Sequence, residues 1–248
     1  MQQSFRNFEV LIIDNNSSDG TGEIVKKFAP SGRICFHSGN DKGIFDAMNK
    51  GIARADGSYF YFLGSDDSLY GPDVLQLVYD DIRASGAEFI YGNVIMHGSN
   101  QWVNDGTIHA GEFDLKRLLS HNICHQSIFY HRSVFKEVGN YNVNYPVFAD
   151  FDLNLRCAAS YRLRYLDLII ANFHVGGAST RLTDAGFERD RYANIIRYFL
   201  GKLHGPAFVD LRFYVKKAAL AKGNGLGTGL RIYCLLVYTR LKLQSLFT

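Results

Sequence analysis

Phe8-Glu9-Val10-Leu11-Ile12-Ile13-Asp14, continued by Asn15-Asn16-Ser17-Ser18-Asp19-Gly20-Thr21, is the stretch that decides the fold. An apolar run ending in an acid reads as a buried strand, and the polar run behind it as a turn. Working outward, residues 22–28 read as a short helix and 33–37 as a second strand. Residues 43–55 carry Ile44, Ala47, Met48 and Ile52 at helical spacing. A third, aromatic strand over 58–63 ends in Gly64-Ser65-Asp66-Asp67. Pro72 suits the first position of a helix reaching about residue 84, and 88–96 form a further strand. Strands and helices alternating at this length predict an α/β fold, a mostly parallel sheet flanked by helices. Ligands bind beyond the C-terminal ends of strands in such sheets. Asp14, Asp66 and Asp67 fall there.

The second half is more mixed. Helices are expected over 113–119, 134–138 and 150–159, and strands over 123–130 and 163–173. From residue 187 onward the chain reads as helical, broken near Gly205-Pro206 and at Gly223-Asn224-Gly225. The charge divides the same way. Residues 1–182 hold 16 Lys and Arg against 20 Asp and Glu, a net −4; residues 183–248 hold 11 against 4, a net +7. No acid follows Asp210. A basic tail on an acidic body suits an anionic surface as partner. With no nucleic-acid motif and no basic stretch in the body, nucleic acid is not an expected partner. Within 226–247, apolar residues interrupted by Arg231, Arg240 and Lys242 form too short a run to span a bilayer. That segment is either an interfacial helix or a helix packed on the domain. The four cysteines are scattered without a CxxC pair, so a zinc knuckle or redox dithiol is unsupported. A polar N-terminus without an apolar core gives no sign of a signal peptide. The expected location is cytoplasmic, at the inner face of the plasma membrane if the tail meets lipid.

The acids carry the chemistry. Adjacent carboxylates such as Asp66 and Asp67 are costly to hold together without a counter-charge. A divalent ion that prefers oxygen, Mg²⁺ or Mn²⁺, supplies one. The plainer alternative is a cap and a solvated acid before the Pro72 helix. Asp14 either hydrogen-bonds a base or ribose or caps its own turn. Asp150 and Asp152 suit a helix's first turn through its dipole, and Asp150 is also the candidate general base.

In order along the chain, these blocks resemble glycosyltransferase family 2. The strand, acid and Ser18-Asp19-Gly20-Thr21 turn resemble that family's opening signature. Gly43-Ile44-Phe45-Asp46-Ala47-Met48-Asn49-Lys50-Gly51-Ile52-Ala53 resembles its next block. Here the likeness is to the branch that builds bacterial exopolysaccharide, capsule and O-antigen. The segment 57–67 resembles the strand bearing metal-binding acids. His125-Gln126 and Ala149-Asp150-Phe151-Asp152 follow in the family's later order. The resemblance covers residues 8–180.

What it implies is a GT-A-type domain over 1–182, with a nucleotide-binding half (1–97) and an acceptor half (98–182), followed by a basic helical region over 183–248. It implies inverting transfer of a sugar from a nucleoside-diphosphate donor, UDP by family, to a glycan or polyprenyl-linked acceptor. Asp14, Asp46, Lys50 and Asp66 would bind the nucleotide, with Arg156 as a further source of positive charge. Asp67 would ligate Mn²⁺ or Mg²⁺, and Asp150 would be the base. His125 and Gln126 would line the acceptor side, His174 would approach the metal, and the 176–180 loop would act as a lid. The sequence departs from the family at Gly64 and Ala149, where acids are common. It also departs ahead of the first strand, where one more strand and helix, about 25–30 residues, are expected. That departure supports the alternative of a truncated, inactive homologue acting as a partner subunit. A nucleotidyltransferase of similar fold is the third reading, and the 125–126 and 150 blocks speak against it.

Overall fold

The computed structural model describes residues 2–28, 30, 32–101, 103–177 and 182–246. Strand β1 (Val10–Asp14), helix α1 (Thr21–Phe28), strand β2 (Ile34–Ser38) and helix α2 (Ile44–Arg54) open the chain. Strands β3 (Tyr59–Tyr61) and β4 (Ser68–Leu69), helix α3 (Val74–Ser85) and strands β5 (Phe89–His97) and β6 (Ile108–His109) follow. Then come α4 (Leu115–Ser120), β7 (Ile128–His131), α5 (Arg132–Val138), α6 (Ala149–Ser160) and β8 (Arg164–His174). Helices α7 (Ala185–Tyr198), α8 (Ala207–Leu220) and α9 (Thr228–Gln244) complete it.

The α/β class, with helices flanking a central sheet and helices at the C-terminus, is the one the sequence predicts. The sheet itself is mixed where a mostly parallel one is expected. β1 and β2 pair in parallel, with Asp14 opposite Ser38. The larger sheet runs β3-β7-β5-β8-β4, with β6 on β5. In it β5 and β8 are parallel, whereas β3–β7, β7–β5, β4–β8 and β5–β6 are antiparallel. Alternating strand and helix signals identify the strands but not the direction in which each enters the sheet, which long-range register decides.

Period-two burial sorts the two faces. Phe129 on β7 points with Ile170 toward Val74 and Val78 of α3. Its neighbours Ile128 and Tyr130 join the main apolar cluster with Phe89, Tyr91, Leu153 and Leu155. β5 is buried along most of its length. At Gly92, where its register with β8 shifts, a Cβ would lie 2.5 Å from the Leu168 carbonyl oxygen, so only glycine permits the close approach. The C-terminal helices belong to the same main cluster. Phe187 of α7, for example, meets the rings of Tyr145, Phe148 and Phe151.

Two local departures have tertiary causes. Helix α3 starts at Val74 rather than Pro72, because the Pro72 carbonyl accepts from Ser4 N and the Gln3 side chain bridges the Gly71 carbonyl and Leu75 N. The expected 123–130 strand opens instead as a 3₁₀ turn, His125–Ser127. Ser127 closes it, donating from both its backbone N–H and its hydroxyl to the Cys124 carbonyl. Of the loop read as a lid, residues 178–180 lie outside the described residues, as do 247 and 248 of the basic tail.

Candidate functional site

Of the acids expected at strand ends, Asp14 stands at one, whereas Asp66 and Asp67 lie in the turn between β3 and β4. Asp14 terminates β1 and is buried. Its Oδ2 accepts from Ser17 N at 3.0 Å and from the Ser38 hydroxyl, on the adjacent strand, at 2.7 Å. Hydrogen bonds from Ser17 and then Ser38 hold its carboxyl below the ordinary value, so it is ionised at neutral pH. Ser38 also donates to Asn16 Oδ1, and Asn16 donates to Asn40. The Asn40 carbonyl accepts from Lys50 Nζ at 2.6 Å, and Lys50 pairs with Asp46, one turn earlier in α2, at 2.8 Å. Lys50, first, and the Lys42 backbone N–H lower the Asp46 pKa. A cleft of about 170 Å³, lined by Ile13, His37, Ser38, Gly39, Asn40, Lys50 and Arg54, opens beside this chain. Asp14, Asp46 and Lys50 are thus one hydrogen-bonded group beyond β1 and β2.

Asp66, Asp67, His125, Gln126 and Asp150 form a second group. Asp66 and Asp67 follow β3 across a turn at Gly64, and both carboxylates fold back over that glycine. A Cβ on Gly64 would lie 2.7 Å from Asp67 Oδ2 and 3.2 Å from Asp66 Oδ1. The glycine that reads as a departure in sequence is what makes room for the two carboxylates. Asp66 is exposed, while the Asp67 side chain is 2% exposed. Asp67 Oδ1 accepts from His174 N at 2.9 Å, and Oδ2 from Gln126 Nε2 at 2.7 Å. The Gln126 amide is itself fixed, because its Oε1 accepts from the Cys124 thiol at 2.9 Å. Burial pushes that thiol up to about 12 and keeps its proton in place. The Tyr61 hydroxyl, with a pKa raised by burial, donates to the Gln126 backbone carbonyl.

Asp150 stands in the first turn of α6, buried, with Oδ1 on the Phe151 N–H at 2.7 Å. Its Oδ2 lies 3.4 Å from His125 Nδ1. His125 Nε2 is buried without a partner among the described residues. Consecutive residues of one 3₁₀ turn therefore reach different acids, His125 reaching Asp150 and Gln126 reaching Asp67. In the sequence, the only trace of this division of labour is a His-Gln pair in an apolar segment. His174 faces Asp67, with Nδ1 at 4.0 Å, and its ring stacks on His97. Arg156 is committed elsewhere: it pairs with Asp152 and donates to the carbonyls of Val138, Gly139 and Asn140.

The arrangement suits a divalent ion that is shared with a ligand. Two carboxylates converge over a glycine, and their oxygens are the donors that Mg²⁺ and Mn²⁺ prefer. Among the described residues no three His, Cys, Asp or Glu side chains gather into a closed cage, so water or phosphate oxygens would complete the shell.

Comparison with known proteins shows the family and the fold. The family pattern described as "Glycosyl transferase family 2" matches residues 1–139. A PGL/p-HBAD biosynthesis glycosyltransferase of Mycobacterium bovis is 40% identical over 194 residues, covering 75% of this chain and 73% of the relative. Chondroitin synthase of Escherichia coli is 24% identical over 82% of this chain and 30% of its own length. Among solved structures, S. aureus TarS 1-349 in complex with UDP-GlcNAc superposes with a TM-score of 0.65 at 16% identity, covering 97% of this chain and 74% of TarS 1-349. The mannosyltransferase PcManGT of Pyrobaculum calidifontis, in complex with GDP-Man and Mn2+, gives 0.56 at 13%, over 97% of this chain and 67% of that one. These structural likenesses establish the GT-A fold.

Proposed function

The chain belongs to glycosyltransferase family 2, and from that premise we propose that it is an inverting, metal-dependent transferase. It moves a sugar from a nucleoside-diphosphate donor, UDP-linked, to a hydroxyl of a glycan or polyprenyl-linked acceptor at the cytoplasmic face of the membrane. The observation that carries this reading is the single turn His125-Gln126, which contacts both Asp67, in the turn between β3 and β4, and Asp150, at the start of α6. The sugar nucleotides bound by the structural neighbours support the donor class.

Asp14, with the Asp46–Lys50 pair beside it, holds the nucleoside, and Asp66 binds the ribose. Asp67 would hold Mn²⁺ or Mg²⁺, and the bound ion would supply positive charge to the diphosphate leaving group. Gln126 orients the Asp67 carboxylate and leaves its remaining lone pairs for the ion. Asp150 takes the proton from the acceptor hydroxyl as its oxygen bonds to the anomeric carbon and the bond to the diphosphate breaks. One displacement of this kind inverts the anomeric centre. His125 keeps Asp150 turned toward the acceptor.

Nucleotide release tests the reading. Incubation with UDP-, GDP- and dTDP-sugars, Mn²⁺ and a polyprenyl-linked or glycan acceptor is expected to release nucleoside diphosphate from a UDP-sugar in an acceptor-dependent way. No release from any donor by folded protein would overturn the enzymatic reading in favour of a catalytically inactive partner subunit.

A further inference from the structure

Helix α9 carries two apolar stripes. Cys234, Val237 and Leu241 are buried in the main cluster. Ile232, Leu235, Leu236 and Leu243 are exposed, at 55%, 41%, 66% and 55%. At about 100° per residue, those four fall within about 60° of one line on the side opposite the buried three. Leu246, just past the helix, is 71% exposed. The charges are placed to match. Arg240 and Lys242, both exposed, lie about 80° to either side of that line. On α8, the exposed Phe213 and Leu220 share a face with exposed Lys216 and Lys217 between them. Every charge after Asp210 is positive.

An exposed apolar stripe has no advantage in water, and a second protein would need acids to match the cations around it. A stripe edged by long cationic side chains is the pattern of a helix lying in a lipid headgroup layer. There the leucines reach the acyl boundary while Lys and Arg extend to the phosphates. Among the described residues no helix is long and apolar enough to cross a membrane. We propose that the outer face of α9, through Ile232, Leu235, Leu236 and Leu243 flanked by Arg240 and Lys242, docks on the surface of an anionic phospholipid bilayer. The proposal deepens the membrane-side part of the reading above and depends on no step of sugar transfer.

Vesicle co-sedimentation without nucleotide tests it. The wild-type chain is expected to bind vesicles of phosphatidylcholine mixed with phosphatidylglycerol, to leave vesicles of phosphatidylcholine alone in solution, and to dissociate as salt is raised. Leu236→Asp combined with Leu243→Asp, and separately Arg240→Glu combined with Lys242→Glu, should each reduce binding on the order of tenfold or more, with circular dichroism unchanged. All four side chains are exposed, so neither variant opens the core. Absence of wild-type binding, or binding that both variants retain, would overturn the proposal. So would a concentration-dependent dimer that the Leu variant abolishes in the absence of vesicle binding, since the stripe would then cover a second copy. Because lipid binding is read without a donor, its failure leaves the transferase reading standing, and failure of nucleotide release leaves lipid binding standing.

Discussion

Asp150→Asn lowers the turnover of sugar transfer by about 10²- to 10⁴-fold, the range for loss of a general base, and leaves UDP binding in the presence of Mn²⁺ unchanged. The split follows from the structure. Asp150 belongs to α6 and is held by Phe151 N and faced by His125, whereas Asp14 is linked to the Lys50–Asp46 pair through Ser38, Asn16 and Asn40 beyond β1 and β2. Asn is nearly isosteric with Asp, and its Oδ1 still accepts from Phe151 N, so the start of the helix is preserved while the proton acceptor is lost. Kinetics on the UDP-sugar that gives nucleotide release, beside calorimetry of UDP, separate the two quantities. Turnover within a few-fold of wild type would remove Asp150 from the chemistry.

Asp152, two residues on, has the opposite assignment. Its side chain is 1% exposed. Oδ2 accepts from Arg156 Nε at 3.0 Å, and Oδ1 from the Tyr198 hydroxyl at 2.7 Å and from Asn194 Nδ2 at 3.4 Å. The carboxylate thereby ties α6 to α7, and Arg156 goes on to fasten the carbonyls of 138–140. Asp152→Ala leaves a mostly buried guanidinium without its counter-charge and a half-buried tyrosine hydroxyl without its acceptor. Breaking a buried pair from one side costs about 3–5 kcal/mol, and a loss of that size is expected in urea unfolding. Asp152→Asn, which can still accept from Tyr198, should lose less. A change below about 1 kcal/mol for the alanine variant would show that the α6–α7 contact rests on its apolar packing alone.

The contrast between these two neighbours marks how far the sequence could be read. Both are acids in a first helical turn, and the helix dipole favours both equally. Only the partners brought in by α7 and by the 3₁₀ turn tell one from the other. Asp14 was legible because an apolar run ending in an acid identifies a strand end without reference to the rest of the chain, whereas β3 stops at Tyr61 and leaves Asp66 and Asp67 in the turn before β4. β4 and β6 were not, since two-residue strands have no periodicity to detect. Strand direction was likewise hidden, because β7 enters antiparallel between β3 and β5 by contacts far apart in sequence. Gly64 illustrates the remaining gap. A glycine in place of an acid looks like a weakened motif until the turn shows two carboxylates occupying the space its side chain would fill.

Central to the account is a donor site in which Asp67, oriented by Gln126, holds a divalent ion against a nucleoside diphosphate. Calorimetric titration of UDP into the purified chain, with and without Mn²⁺, tests this most directly, repeated for Asp67→Asn and Gln126→Met. UDP binding that requires Mn²⁺, is lost in Asp67→Asn, and weakens by about 10- to 100-fold in Gln126→Met, as for a partner that orients a metal ligand, is the predicted result. UDP binding that ignores Mn²⁺ and survives Asp67→Asn, or no nucleotide binding at all by the folded chain, would contradict it.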